Sequence, residues 1–328
     1  MATITSPVAR AHGRDAEAPT QIPARGWKDV LVRVKAEAKD DQLTFLAGGV
    51  AFFALIALVP AMIALVSLFG LVADPADVQQ QVADTLAGAP AEVQDLVQTQ
   101  LESITRSSDA GLGLGLVVGL GLALWSASAG VANLMAALNR VYDEGESRKF
   151  LKLRGLAIAL TLGAVVAVTA AFAVVAILPA ALEDSSLGPA AQWTVSILRW
   201  PALAVGFVLG LSVLYRLAPN RADAGWRWLT PGAVVATVLW LLGSLAFSLY
   251  TSSFASYNET YGALGAVVIT MLWLQLTAFA VLLGAEVNAE LEHQTAQDST
   301  TGPEQPLGQR GAVMADTIGP TAEQVRAS

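Results

Sequence analysis

Cysteine is absent from this 328-residue chain, and charged side chains and histidine are scarce. Without cysteine the protein has no disulfide framework, no thiolate nucleophile and no cysteine-based metal site. The two histidines, His12 and His293, lie in polar terminal segments. Only 14% of the residues are charged, whereas soluble domains carry roughly 25%. This composition is typical of a membrane protein.

Sequence motifs of enzymes and metal sites are missing as well. The chain contains no HExxH, no GxxxxGK[ST] phosphate loop, no His or Asp cluster with metal-ligand spacing, and no lysine beside a serine within an apolar run. We therefore expect that the protein is not an enzyme and that it uses no metal or other cofactor.

Hydrophobic residues make up 54% of the chain and gather in six long runs. A helix needs about 20 residues to cross a hydrocarbon core of ~30 Å, and each run has about this length. The fourth run is started at Arg199, which leaves the apolar residues before it as an interfacial segment. The sequence thus predicts an all-α polytopic membrane protein, a bundle of six transmembrane helices with amphipathic extramembrane helices. The predicted spans are about 45–72, 111–138, 156–179, 199–218, 231–253 and 262–285.

The basic residues are distributed unevenly between the predicted connections. Seventeen of the 19 Lys and Arg residues lie before the first span, in or beside the second and fourth connections, or after the last span. The positive-inside rule places these segments in the cytoplasm. The sequence therefore predicts a multi-pass protein of the plasma (inner) membrane with both termini cytoplasmic. This topology accounts for the basic residues, so no nucleic-acid partner is expected.

Three regions are predicted along the chain. Residues 1–25 and 293–328 are rich in Ala, Gly, Thr, Gln and Pro without apolar periodicity, which is typical of disordered tails. Residues 26–292 form the membrane domain. This domain opens with residues 27–41, whose apolar side chains recur at helical spacing and predict a helix lying on the inner leaflet.

The first connection, residues 73–110, is long and acidic. Its apolar spacing predicts two short amphipathic helices, over about 76–87 and 91–106. The two helices are interpreted either as a cap over the outer end of the bundle or as an acidic vestibule that attracts cations or repels anions.

Small residues at four-residue spacing predict close contacts between helices. Such stripes let helix backbones approach each other in lipid. The glycines predicted to serve helix packing are Gly111, Gly115 and Gly119 in the second span, and Gly206 and Gly210 in the fourth.

Polar residues near or inside the predicted spans are the candidates for function. Gln275 and Glu286 lie eleven residues apart, so they share one helical face at a separation of about 16 Å. Asn133 lies in the second span and Asn139 at its inner end, and Arg216 ends the fourth span at a depth similar to that of Glu286. Glu286 is either a hydrated helix end or a working acid. Arg216 is either a partner of Glu286 or a positive-inside anchor. For Asn133, a role in joining helices is the alternative to a polar path.

Several sequence pieces together resemble the YihY/BrkB family of bacterial inner-membrane proteins. They include LAGGVAFFALIALVP (46–60), LYRLAP (214–219), YGALGAVVITMLW (261–273) and LLGAEVNAELE (282–292). The resemblance implies six transmembrane helices and marks Tyr261 and Glu286 as motif positions without giving them a chemical role. The family once carried a ribonuclease BN label that is regarded as misassigned, and the missing metal ligands here agree with that correction.

The function predicted from these features is transport or accommodation of a solute or lipid through a polar path between helices. The candidate path residues are Glu286, Gln275, Asn133, Asn139, Arg216 and Tyr261. The alternative is a non-transporting envelope or assembly factor with a purely structural helix bundle. Expected partners are the lipid bilayer and a small solute or lipid, and the sequence does not predict an oligomeric state.

Overall fold

The computed structural model describes residues 6–69, 114–177, 188–252 and 257–327. Within these ranges the chain is helical, and the only β-type pairing is one isolated bridge between Ala224 and Thr300. The helices are α1 (Pro7–Ala11), α2 (Ala24–Asp40), α3 (Leu43–Phe69), α4 (Leu114–Val141), α5 (Phe150–Phe172), α6 (Pro189–Leu217), α7 (Trp226–Ser252), α8 (Tyr257–Glu292), α9 (Val313–Asp316) and α10 (Ala322–Ala327).

Six long helices, α3 to α8, correspond to the six predicted spans. Each of α4 to α8 contains a stretch that is long and apolar enough to cross a membrane, and α2 with α3 adds a sixth if the bent pair is one span. The prediction of an all-α polytopic membrane protein is therefore confirmed. Between α2 and α3 the chain bends by 60°, and Gln42 adopts a positive φ of 52° at the bend.

The fourth long helix starts earlier than predicted. Instead of beginning at Arg199, α6 begins at Pro189 and continues without a break through Pro201. Proline suits the first helical position, where the missing N–H has no helical partner. The residues predicted to be interfacial therefore belong to the helix itself.

A very close helix crossing joins α7 and α8 at Gly232 and Gly284. A Cβ atom added to Gly232 would lie 2.0 Å from the carbonyl oxygen of Gly284, and one added to Gly284 would lie 2.5 Å from that of Gly232. Only residues without a side chain allow two backbones to approach this closely. This contact fixes α8 against α7 just before Glu286.

The predicted glycine stripes have different environments. Gly111 lies outside the described residues, and only the backbone of Gly115 and Gly119, within α4, is described. Gly206 and Gly210 lie on an exposed face of α6, and a Cβ atom at either would meet no atom within 4 Å. The structure of the single chain therefore differs from the packing role predicted for Gly206 and Gly210.

Both terminal segments pack against one end of the bundle, which we call the basal end and define by residues 6–40 and 286–327. Here the structure differs from the prediction of disordered tails. Arg14 donates hydrogen bonds to the carbonyl oxygens of Gln294 (3.1 Å) and Gly319 (2.6 Å). The order of these segments depends on arginine–carbonyl contacts between residues distant in sequence, which leave no apolar periodicity.

The amphipathic helix α2 also differs from its predicted position on the lipid surface. Val30 and Val34 are buried in a cluster with Trp228, Val287 and Leu291. The apolar face of α2 therefore packs against protein. The two amphipathic helices predicted within residues 73–110 lie outside the described residues.

Candidate functional site at the basal end

Four polar side chains on the last two turns of α8 are buried. Glu286, Asn288, Glu290 and Glu292 are each at most 1% exposed. Burying a charged or polar group is costly unless it has a hydrogen-bonding or charged partner. The partners of these side chains therefore decide what this part of the molecule can do.

Glu292 pairs with Arg221, from the connection between α6 and α7. The two guanidinium nitrogens of Arg221 donate to the two carboxylate oxygens of Glu292 at 3.0 and 2.6 Å. Ser299 donates to the same carboxylate (2.7 Å). Burial alone would lower the pKa of Arg221, but the charge of Glu292 raises it above its ordinary value. This bidentate pair joins α8 to the loop between two other helices.

Glu290 pairs with Arg33 of α2. The Nε atom of Arg33 donates to the Glu290 carboxylate, and its Nη2 atom donates to the main-chain oxygen of Glu290 (3.0 Å). The remaining nitrogen, Nη1, donates to the carbonyl oxygen of Pro320 (2.8 Å). Arg33 therefore joins α2, α8 and the C-terminal segment.

Asn288 bridges α8 to α7 beside Pro231. Its Oδ1 atom accepts from the N–H of Gly232 (2.7 Å), and its Nδ2 atom donates to the carbonyl oxygen of Leu229 (2.9 Å). Both ends of the amide are thus used within the protein. Asn288, Glu290 and Glu292 thus connect α8 to neighbouring elements of the structure.

Glu286 differs from its neighbours. Neither carboxylate oxygen has a hydrogen-bond partner among the described residues. Arg216, predicted as its partner, instead donates to the carbonyl oxygen of Ala224 (3.0 Å) and to Asp223 (3.4 Å). The structure thus contains neither the hydrated helix end nor the Glu286–Arg216 pair that the sequence suggested.

The other predicted path residues are separate from Glu286. Asn133 donates to the carbonyl oxygen of Ala129 in its own helix (2.9 Å). Asn139 accepts from the N–H of Asn220 (2.7 Å) and donates to Glu146 (3.0 Å). It thereby joins the connections 142–149 and 218–225, which we call the basal loops. A hydrogen bond from Arg148 lowers the pKa of Glu146 to about 2. For Tyr261, only its backbone position in α8 is described.

Gln275 lines a groove between the α2–α3 bend and α8. The groove has a volume of about 660 Å³. The Nε2 atom of Gln275 donates to the main-chain oxygen of Thr44 (3.4 Å), so Gln275 lies at the start of α3. The wall-forming residues are Ala38, Lys39, Gln42, Leu43, Thr44, Phe45, Gly48, Gly49, Met271 and Gln275.

Two glycines keep the groove open. A Cβ atom added to Gly49 would meet nothing within 4 Å, and one at Gly48 would meet only the amide nitrogen of Gln275, at 3.7 Å. Sequence reasoning identified Gln275 but missed Lys39 and Gln42. The only signal for them was their position where a polar helix meets an apolar one.

A metal site requires several ligating side chains close together. No group of three or more His, Cys, Asp or Glu side chains in the part of the chain that the structure describes could hold a metal ion. The arrangement can hold an organic molecule through one cation, two amides and an apolar wall.

Comparisons with known proteins agree with this membrane architecture. The family model described as Virulence factor BrkB matches residues 34–308. The ribonuclease-like protein YfkH of Bacillus subtilis is 32% identical over 249 residues, which cover 74% of this chain and 87% of YfkH. A UPF0761 membrane protein of Vibrio parahaemolyticus is 31% identical over 77% of this chain and 79% of its own.

A further UPF0761 membrane protein, from Pseudoalteromonas translucida, is 27% identical over 79% of this chain and 85% of its own. No solved structure matches significantly. The ribonuclease-like name finds no counterpart in a metal-binding cluster of the described residues, and the membrane-protein names assign no reaction.

Proposed function

The chain belongs to the Virulence factor BrkB family of membrane proteins, and from this premise we propose that it accommodates a phospholipid in the groove between α2, α3 and α8. The observation that carries the proposal is the mixed lining of this groove. Lys39, Gln42 and Gln275 supply polar groups, and Phe45 and Met271 supply apolar surface. An amphipathic molecule satisfies both kinds of surface, whereas a polar solute would leave the apolar part uncovered.

The position of the groove supports a lipid occupant. It lies at the start of α3, where the chain turns from the polar helix α2 into an apolar helix. Phe45, at this start, is 78% exposed. Under the predicted topology this level is the inner-leaflet surface, where lipid headgroups lie. A lipid could therefore enter sideways from the bilayer.

The charge of the groove suits a phosphate group. Lys39 is exposed, and among the described residues no acidic side chain pairs with it. An ammonium group of this kind attracts the phosphate of a phospholipid, and Gln42 and Gln275 can donate hydrogen bonds to its oxygens. The groove volume of about 660 Å³ falls within the range of small-molecule sites. It suits a headgroup and the adjoining parts of the chains.

A glycine substitution tests the proposal. Gly49→Leu should fill the groove without striking other atoms, because a Cβ atom there meets nothing within 4 Å. Gly163→Leu is the matched control, since Gly163 is also a helical glycine with open space around it. The measurement is photo-crosslinking of a phospholipid with a photoactivatable headgroup to the purified protein in lipid nanodiscs.

We expect Gly49→Leu to lower labelling about tenfold, the change that ~1.4 kcal/mol of lost binding produces, and Gly163→Leu to leave it unchanged. Equal labelling of both variants would contradict the proposal. A lipid-translocation assay in vesicles with the same two variants then tests whether accommodation leads to transport.

The dense packing of the basal end favours a second candidate, a purely structural envelope or assembly factor. Asn139, Asn288 and Arg216 are all engaged in hydrogen bonds within the protein. Under this candidate the groove has no occupant. Labelling of the wild type would then match that of Gly49→Leu.

A further inference from the structure

One wall of the groove, α2, is held by the C-terminal segment. The carboxylate of Asp29 accepts from the N–H of Ala322 (2.8 Å), and Arg33 donates to the carbonyl oxygen of Pro320 (2.8 Å). Asp29 and Arg33 are one helical turn apart and both are buried. Residues 317–322, which we call the latch, are therefore hydrogen-bonded to one face of α2.

The backbone of Gly319 lies in close contact with the side chain of Arg33. A Cβ atom added to Gly319 would lie 2.6 Å from the Nε atom of Arg33. The N–H of Gly319 donates to the carbonyl oxygen of His293 (2.8 Å), and its own carbonyl oxygen accepts from Arg14 (2.6 Å). The latch is therefore attached to the end of α8 as well as to α2.

The segment before the latch, residues 296–316, is held together by its own hydrogen bonds. Arg310 donates to the carbonyl oxygens of Ala296 (2.6 Å) and Ala315 (2.6 Å). The carboxylate of Asp316 accepts from the N–H groups of Gly308 (2.8 Å) and Gly311 (3.0 Å). This segment therefore presents the latch in a fixed position.

The bend between α2 and α3 leaves the position of α2 dependent on its contacts. The two helices meet at 60°, and the ladder of helical hydrogen bonds is interrupted at Gln42, whose φ is positive. Because the helical hydrogen bonds are interrupted at this bend, the angle between α2 and α3 is not fixed by a continuous helix. The position of α2 therefore depends on its contacts with α8 and with the latch.

We propose that the latch regulates the groove by setting the distance between α2 and α8. The inference rests on the proposed lipid function, because the groove is the site that the latch controls. With the latch attached, Ala38 and Lys39 of α2 stay opposite Met271 and Gln275 of α8. When the latch is released, only the direct contacts with α8, the Arg33–Glu290 pair and the cluster around Val30, still hold α2. The helix then tilts about Gln42, the wall of the groove moves away from α8 and lipid binding falls.

Two substitutions release the latch by different means. Gly319→Leu places a side chain against Arg33. Ala322→Pro removes the N–H that Asp29 accepts, and proline is tolerated there because Ala322 begins α10. Glu304→Ala is the control, since Glu304 is an exposed residue of the same segment.

The absence of cysteine allows two spin labels to be placed without background. Lys35→Cys on α2 and Leu272→Cys on α8 report the distance between the helices, by electron–electron double resonance on the full chain in nanodiscs. Hydrogen exchange of residues 313–327 in the same samples reports whether the latch is released.

We expect both latch variants to shift the distance distribution to longer values and to lower phospholipid photolabelling, and Glu304→Ala to match the unaltered chain. Faster exchange at the latch with an unchanged distance distribution would overturn the inference. So would unchanged exchange in both latch variants, because the contacts at Gly319 and Ala322 would then not hold the segment. If Gly49→Leu leaves labelling unchanged, the lipid proposal fails separately, and the distance measurement still tests the latch.

Discussion

At the scale of single residues, the sequence Gly284–Ala285–Glu286 on α8 combines close helix packing with an acid that has no hydrogen-bond partner among the described residues. Gly284 allows the contact with α7, and Ala285 is fully buried. Glu286 then follows without a hydrogen-bond partner in the described part of the chain, while Glu290 has Arg33. The sequence left two roles open for Glu286, a hydrated helix end or a working acid. Its complete burial was not predicted, because it depends on how α8 packs in the folded chain.

Substitutions of these two acids should have different effects on stability. Glu290→Gln breaks a buried ion pair and leaves Arg33 without its counter-charge, which typically costs about 3 kcal/mol. Glu286→Gln preserves shape and removes no hydrogen bond of the described residues, so its thermal unfolding temperature in detergent should stay close to that of the wild type. The measurement is the thermal unfolding of both purified variants. An equal loss of stability in the two variants would contradict the pairing described here.

At the scale of elements, apolar run length predicted the six long helices because crossing a membrane requires a helix of that length. It predicted the ends less well: α6 starts at Pro189 because an arginine and a proline near its start did not stop the helix. The groove was not predicted, since it forms only where the α2–α3 bend meets Gln275. The folded terminal segments were missed because arginine–carbonyl hydrogen bonds and isolated buried side chains such as Ile22 and Met314 hold them, and these leave no periodic apolar face in the sequence.

Limited proteolysis tests the order of the C-terminal segment. Arg310 is 7% exposed and donates to four carbonyl oxygens, whereas Arg326 is exposed. Trypsin should therefore cut after Arg326 well before it cuts after Arg310, because cleavage requires local unfolding. Mass spectrometry of the products over time gives the order. Cleavage at the two sites at similar rates would indicate the disordered tail that composition alone predicted.

At the scale of the whole molecule, the basal end brings the described parts of the two terminal segments, residues 6–40 and 286–327, to one end of a bundle of six long helices. The positive-inside rule predicts that this end faces the cytoplasm. Arg148 and Arg221, from the connections after α4 and α6, and Arg216, in the last turn of α6, lie on this side. Arg221 pairs with Glu292, and the N–H groups of Ala222 and Gly225 donate to the carbonyl oxygens of Gly311 and Ser299 of the C-terminal segment. The orientation of the bundle in the membrane is the prediction that remains to be tested.

Reporter fusions measure this orientation. Fusions at Gly88 and Ser186 should be active outside the cytoplasm, and a fusion at Gly145 should be active inside it. Gly145 provides the control, because it lies in the basal loop that contacts Asn220. A cytoplasmic Gly88 would contradict the six-span topology.

The most direct test of lipid accommodation is to map where a photoactivatable phospholipid attaches to the unaltered protein in nanodiscs. The groove between α2, α3 and α8 predicts that the label concentrates on peptides containing residues 39–49 and 271–275. Labels spread evenly over the lipid-facing surfaces of α5, α6 and α7, without enrichment at those two segments, would contradict the account.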